Sequence, residues 1–283
     1  MKISIASYSF HGLLAEGKID AFGYLESCKY RYGLDSADFW NGIIGSTDSD
    51  YIRKVRQAVE ERELTVANYH VDGCHLWEDD PEARERNYKV ALQHLHIAHQ
   101  LGAKTVRYDT GGKLEPISNE QFDYIVGKYQ EYAEFAYNHG FKVGPENHWG
   151  LSLIADNMVN IAVAVDSPAY GILLHIGHWE DGDEAGGDRR LAPWTVHTHV
   201  DANVTRKCLE ERMRILLEAG YEGYWGVEHH STKNEYAEVA YQISEVRRVL
   251  QKRVWESHSV ESIEALQGKA GNPLLTLEQE GIA

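Results

Sequence analysis

Eight short runs rich in β-branched and aromatic residues, each followed by an amphipathic stretch, recur along this chain and restrict it to a fold of repeated strand–helix units. The runs are KISIASY at 2–8, YGLDSADFW at 32–40, LTVANYH at 64–70, KTVRYD at 104–109, FKVGPE at 141–146, GILLHIG at 171–177, TVHTH at 195–199 and YWGVEHH at 224–230. Their starts lie roughly 25 to 40 residues apart, which is the room a strand, a helix and two loops require. Such alternation predicts parallel strands joined by crossover helices. A doubly wound open sheet competes, but eight units suit closure into a single (β/α)8 barrel better than six strands with a reversed order. We therefore expect a barrel over 1–253 and a C-terminal extension or tail over 254–283.

The helix after the third run has the clearest boundaries. DDP at 79–81 offers an N-cap and a proline for the first helical position, and Tyr88, Ala91, Leu92, Leu95 and Ala98 follow at three- and four-residue steps. Gly102 supplies a left-handed stop, and NHG at 138–140 and EAG at 218–220 repeat it just before later strands. With 283 residues, 43% hydrophobic and 25% charged, the chain can bury one large core.

Lys and Arg number 28 against 44 Asp and Glu, and the resulting charge of −16 repels phosphate backbones and anionic lipid. Nucleic acid and membranes are therefore poor partners. No run approaches the roughly 20 apolar residues of a membrane span. Met1 leads straight into a strand-like run without a secretory signal, so the expected location is cytoplasmic. Cys28, Cys74 and Cys208 are odd in number and in no CxxC spacing, which predicts buried, reduced thiols rather than disulfides or a zinc knuckle.

In a barrel the functional side chains gather at the C-terminal ends of the strands. Four consecutive runs end there in groups that bind metals. The fifth ends in PENHWG, with Glu146 and His148; the sixth in LLHIGHW, with His175 and His178. The seventh, HTHVDAN, puts His197 and His199 on one side by strand parity, with His199 nearer the rim, and the eighth carries Glu228 in WGVEHH. Singly, each is a solvated carboxylate or a hydrogen-bonded structural histidine. Together they would crowd one rim, and a cation resolves the crowding. Two carboxylates and two imidazoles suit Mn²⁺, Co²⁺, Zn²⁺ or Fe²⁺, whereas Mg²⁺ prefers oxygen ligands alone.

These strand ends resemble those of the xylose isomerase-like TIM-barrel superfamily, over about residues 1–250. That family includes tagatose and psicose 3-epimerases, inosose dehydratases and lyases of 3-keto-glycosides and C-glycosides. The resemblance implies metal ligation by Glu146, His175, His199 and Glu228, with Mn²⁺ foremost. His175 is a departure, since the family usually places Asp there. Two carboxylates instead of three leave the cation less neutralised and a stronger Lewis acid. His178 keeps the family's second histidine, and His70, Arg107 and Asp109 stand where the family lines its substrate pocket. Each of these also reads as a strand-cap hydrogen bond or an ion pair. Trp149, Trp179, Phe10 and His11 are expected on loops over the rim, where aromatic rings stack on sugars, although buried packing explains aromatics equally.

The chemistry this resemblance implies is proton abstraction beside a carbonyl through a metal-stabilised enediolate, as in a sugar isomerase or epimerase. Glu146 and Glu228 would remove and return the proton, with His148 and His178 as shuttles or orienting groups. Expulsion of a β-substituent would instead make the protein a lyase of keto-sugars or keto-glycosides. A non-catalytic sugar-binding subunit is the rival from another class. Small-molecule sugars or glycosides are the expected ligands, and apolar residues in the tail offer a contact for a homo-oligomer or a small partner subunit.

Two features are set aside. HLHIAH places His94 and His96 about 200° apart on a helix, so a solvated face is expected there rather than a metal site. EDGDEAGGD at 180–188 lacks calcium-loop spacing and is expected as a flap over the rim.

Overall fold

A computed structural model of the chain describes residues 1–180 and 182–269. All eight expected strands form: β1 Ile3–Ile5, β2 Ser36–Trp40, β3 Thr65–Val71, β4 Thr105–Tyr108, β5 Lys142–Gly144, β6 Ile172–His175, β7 Thr195–Val200 and β8 Tyr224–Val227. The main helices between and after them are α1 Ala21–Glu26, α2 Ser49–Glu61, α3 Pro81–Leu101, α4 Asn119–His139, α5 Ala155–Val165, α6 Glu184–Leu191, α7 Leu209–Glu218 and α8 Glu235–Lys269. The last helix runs through the expected boundary at 253, and the rest of the expected tail, 270–283, lies outside the described residues.

The strands pair in parallel as two ribbons, β1-β8-β7-β6 and β2-β3-β4-β5. Single parallel bridges, Ala6 with Asp38 on one side and Val143 with Tyr170 and Glu146 with Leu173 on the other, join them into a closed TIM barrel. Register slips at two places, where Ala67 on β3 and Val196 on β7 are the extra residues of bulges opposite Ala37/Asp38 and Ile172/Leu173.

Local chemistry explains the helix ends. Asp80 accepts from the Glu82 amide ahead of Pro81, and Gly102 closes α3 at φ 72°. Ser118 and Gln121 form a capping box at the start of α4, which Gly140 ends at φ 77°. Alternate strand residues point outward under these helices. Phe39 packs on Tyr24 of α1, and the Tyr108 hydroxyl donates to the Ala91 carbonyl of α3 (2.9 Å). His94 is a correction to the expected solvated face: it is buried against β3, bonded to the Tyr69 hydroxyl at 2.6 Å, while His96 and His99 stay exposed. Each fully buried large side chain in this layer contributes about 1.5–3 kcal/mol.

The expected flap at 180–188 is also corrected from Glu184 onward, where the chain is the helix α6. Asp183 caps it by accepting from the Gly186 amide, and buried Asp188 anchors it by accepting from the Gly177 amide and the Trp179 indole, both at 2.9 Å. Acids that read as loop composition are a cap and an anchor. Among the described residues no helix is long and apolar enough to cross a membrane. The cysteines are unpaired; Cys28 and Cys74 are buried and Cys208 is half-buried.

Candidate metal centre

The inward positions of β5 to β8 end in the four expected donors, and barrel closure brings them together. Glu146, His175, His199 and Glu228 are all buried, and their donor atoms lie within 4.8 Å of one another. Nδ1 of His199 is 3.0 Å from Glu146 Oε1 and 3.4 Å from Glu228 Oε2; Nδ1 of His175 is 3.2 and 3.6 Å from the same atoms. Ligands held about 2.1 Å from one cation are separated by roughly 3.0–3.4 Å in octahedral or tetrahedral geometry. The spacing and the mixed nitrogen and oxygen donors thus fit a divalent ion.

Electrostatics lead to the same demand for positive charge. Burial acts to raise the Glu146 carboxyl, yet His199 and Arg107 outweigh it and hold it well below the usual carboxylate range. Glu228 is lowered in the same way, chiefly by His199 against burial. His199 is in turn pushed well above an ordinary imidazole, since Glu228, Glu146 and Asp38 together overcome its burial. A cation among these groups answers the same call for charge.

Arg107 is the hub of the wall beside the cluster. Its Nη1 donates to Asp72 at 2.7 Å and to Asp109 at 3.1 Å, and its Nε forms an ion pair with Glu146 Oε2 at 2.9 Å that lacks hydrogen-bond alignment. Asp109 also accepts from Nδ1 of His148 (3.2 Å) and from the Trp149 indole (3.3 Å). Burial opposes protonation of His148, but its bond to Asp109 and the nearby Glu146 raise it to about 9. His70 lies buried against Arg107 and is lowered to about 4 by desolvation. His178 is likewise lowered to about 4 by burial and by His175, 4.9 Å away between ring centres.

Two cavities flank the donors. The smaller, about 140 Å³, is lined by Tyr8, Trp40, His70, Asp72, Arg107, His148, Glu228 and His230. The larger, about 510 Å³, runs past His148, His175, His178, Asp201, Asn203, Lys207 and His230. A third cavity of about 580 Å³ lies at the opposite, N-terminal end of the barrel beside Lys104, Phe141 and Thr195, away from the donors. Barrel chemistry belongs to the C-terminal end, so we assign the site to the first two.

The aromatic expectations divide. Trp149 is 36% exposed and packs across His75 beside the site. Trp179 is instead buried, its indole tied to Asp188 and its ring against Gly187. Phe10 is wholly buried among Tyr24, Tyr32 and Tyr236, and His11 stacks on Tyr8. Besides its histidines, the rings that line the small cavity are Tyr8 and Trp40, which meet edge to face at 5.1 Å and were not singled out from the sequence. Their signal was available, since both occupy the last, inward position of their runs. His230, 3.1 Å from Glu228, and Asp38, bonded to His199, were also missed.

A family model described as xylose isomerase-like TIM barrel matches residues 30–253. No protein of curated function matches the sequence significantly. Among solved structures, a D-tagatose 3-epimerase-like protein is 18% identical, covering 89% of this chain and 99% of its own at a TM-score of 0.71. A "probable 3-DHS dehydratase" involved in petrobactin synthesis, from Bacillus anthracis, is 15% identical over 89% of this chain and 99% of its own, TM-score 0.66. A xylose isomerase-like barrel protein from Mycobacterium smegmatis, in complex with magnesium, is 14% identical over 88% and 96%, TM-score 0.67. At these identities the likeness is one of fold.

Proposed function

This chain belongs to the xylose isomerase-like TIM barrel family, and on that premise we propose that it is a divalent-metal-dependent sugar isomerase or epimerase working by proton abstraction next to a carbonyl. The reading rests on one observation, the convergence of Glu146, His175, His199 and Glu228 where the strands of the barrel end. These four would hold the cation, for which Mn²⁺ is our first choice and Co²⁺, Zn²⁺ and Fe²⁺ are compatible. When bound, such a cation supplies Lewis acidity to a carbonyl oxygen.

The side chains divide the remaining work. Glu228 lines the smaller cavity, where its carboxylate can take a proton from a substrate carbon. Glu146, held by Arg107, would return one from the other face. His148 and His178 wall the larger cavity and would orient substrate oxygens or carry protons. His70, Arg107, Asp109 and Trp149 would bind substrate or brace the groups that do. The unpaired cysteines suit a reducing cytoplasm, where we place the reaction.

A second reading, β-elimination from a 3-keto-sugar or 3-keto-glycoside, is favoured by the asymmetry of the two glutamates. Arg107 occupies one oxygen of Glu146, while Glu228 faces a cavity. Elimination needs one base and one donor to the leaving group, and His148 lines both cavities. The Mn²⁺-loaded protein should be incubated in D₂O with ketohexoses and, separately, with 3-keto-glycosides, and followed by NMR. Deuterium beside the carbonyl together with a new epimer supports the isomerase; release of the leaving group without epimer overturns it in favour of the lyase. Neither reaction, from protein that holds metal, would leave a sugar-binding barrel.

A further inference from the structure

Asp38 sits in the middle of β2, below the donor cluster, with no exposed surface. Its carboxylate accepts three hydrogen bonds: Oδ2 from Nε2 of His197 at 2.6 Å and Nε2 of His199 at 3.2 Å, and Oδ1 from the Asn68 amide at 2.9 Å. Asn68 is fixed by the Thr105 hydroxyl at 2.8 Å, and the Asp38 backbone N–H donates to Tyr24 at 2.7 Å. An ionised carboxylate has only lone pairs to offer, so each imidazole must present an N–H at Nε2. A neutral imidazole with its proton on Nε2 has a bare lone pair on Nδ1, and Nδ1 of His199 is the atom that faces Glu146 and Glu228.

We propose that Asp38 is a positioning residue that fixes the tautomer and ring orientation of His199, so that Nδ1 faces the cation, and thereby sets divalent-metal affinity. The inference rests on the metal-centre reading above. A carboxylate behind a ligating histidine orients the ring and makes its free nitrogen a better donor, an effect on the order of 10- to 100-fold in metal affinity. His197 acts on Asp38 rather than on the metal: its Nδ1 is buried without a hydrogen-bond partner and is outside the four-donor cluster, while its Nε2 keeps the carboxylate in place. Asp38→Asn preserves shape but removes the negative charge, so the one oxygen that both imidazoles share becomes a neutral and weaker acceptor and their free nitrogens poorer donors.

Chelator-competition titrations with Mn²⁺ and Zn²⁺ should compare wild type, Asp38→Asn and Asn68→Ala. Asn68→Ala removes a neighbouring bond to Asp38 without touching the one to His199, and so reports a purely structural loss. We expect Asp38→Asn to bind about 10- to 100-fold more weakly, and Asn68→Ala to bind like wild type even if its metal-free melting temperature falls as far. Equal binding by wild type and Asp38→Asn overturns the proposal, as does equal weakening in both variants. A wild type that binds neither ion instead overturns the metal centre itself. ¹⁵N NMR of the Zn²⁺-loaded wild type needs no variant: a His199 proton on Nε2 supports the proposal, and one on Nδ1 overturns it.

Discussion

On β3 the outward Tyr69 bonds His94 beneath α3, while the inward Asn68 and His70 reach Asp38 and Arg107. β2 divides the same way, with Phe39 packed on α1 and Asp38 bonded to His197, which lies on a strand that is not its neighbour. The outer face of the barrel wall is thus apolar and aromatic, packed against helices. The inner face carries Ser36, Asp38, Asn68, Thr105, Arg107, His197 and His199, all buried. Barrel interiors are usually filled with branched aliphatic side chains. Here the interior is a polar network under the four candidate donors, an arrangement that costs desolvation and that, on the proposed reading, orients metal ligands. Stability should therefore follow the outer face and chemistry the inner one.

The largest expected effect tests the inner face directly. Glu228→Gln should lower the rate of deuterium exchange by about 10²- to 10⁴-fold. Its melting temperature without metal should fall only slightly, because His199, which holds the Glu228 carboxyl below its usual range, keeps Glu146 and Asp38 as partners. Exchange at the wild-type rate would remove Glu228 from the mechanism. A large loss of stability would break the division of labour between the two faces.

Arg107→Met probes the exception to that division, an inner residue that also supports the fold. It leaves Asp72, Asp109 and Glu146 without their shared cation. Removing one partner of a buried ion pair costs about 3–5 kcal/mol. Urea unfolding should show a loss of that order, and Mn²⁺ should recover part of it by binding the freed Glu146. Stability unchanged from wild type would mean that the three carboxylates do not depend on Arg107.

How far the sequence could be read follows the same two faces. All eight strands were legible because the outer face leaves a clear apolar rhythm, and Asp80, Gly102 and Gly140 mark helix ends by local rules. The four candidate donors could be picked out because each lies at a strand end and matches a position that the family resemblance implies. Asp38 was not, because its partners Asn68, His197 and His199 are 30, 159 and 161 residues away and only closure unites them. Bulges at Ala67 and Val196 shift parity within β3 and β7, so counting from the strand starts misassigns the deeper layer. Trp179 and Phe10 misled for a related reason, since proximity to the rim in sequence does not separate an exposed ring from a buried one.

The smallest expected effect concerns His94, a titratable group on the outer face. Burial lowers its pKa, so the folded protein resists a proton that the unfolded chain accepts in the ordinary imidazole range. A group of this sign gives its full stability above that range and loses it as the pH falls through it. His94→Gln keeps a polar partner for the Tyr69 hydroxyl and should cost about 1 kcal/mol at pH 8. Because the variant lacks the titration, that gap should narrow as the pH falls to 5.5, while metal affinity measured at pH 8 stays at the wild-type value. Urea midpoints at the two pH values decide the first point and a Mn²⁺ titration the second. A gap that is the same at both would show that His94 does not titrate with folding, and a fall in Mn²⁺ affinity would show that the outer layer reaches the metal centre through β3.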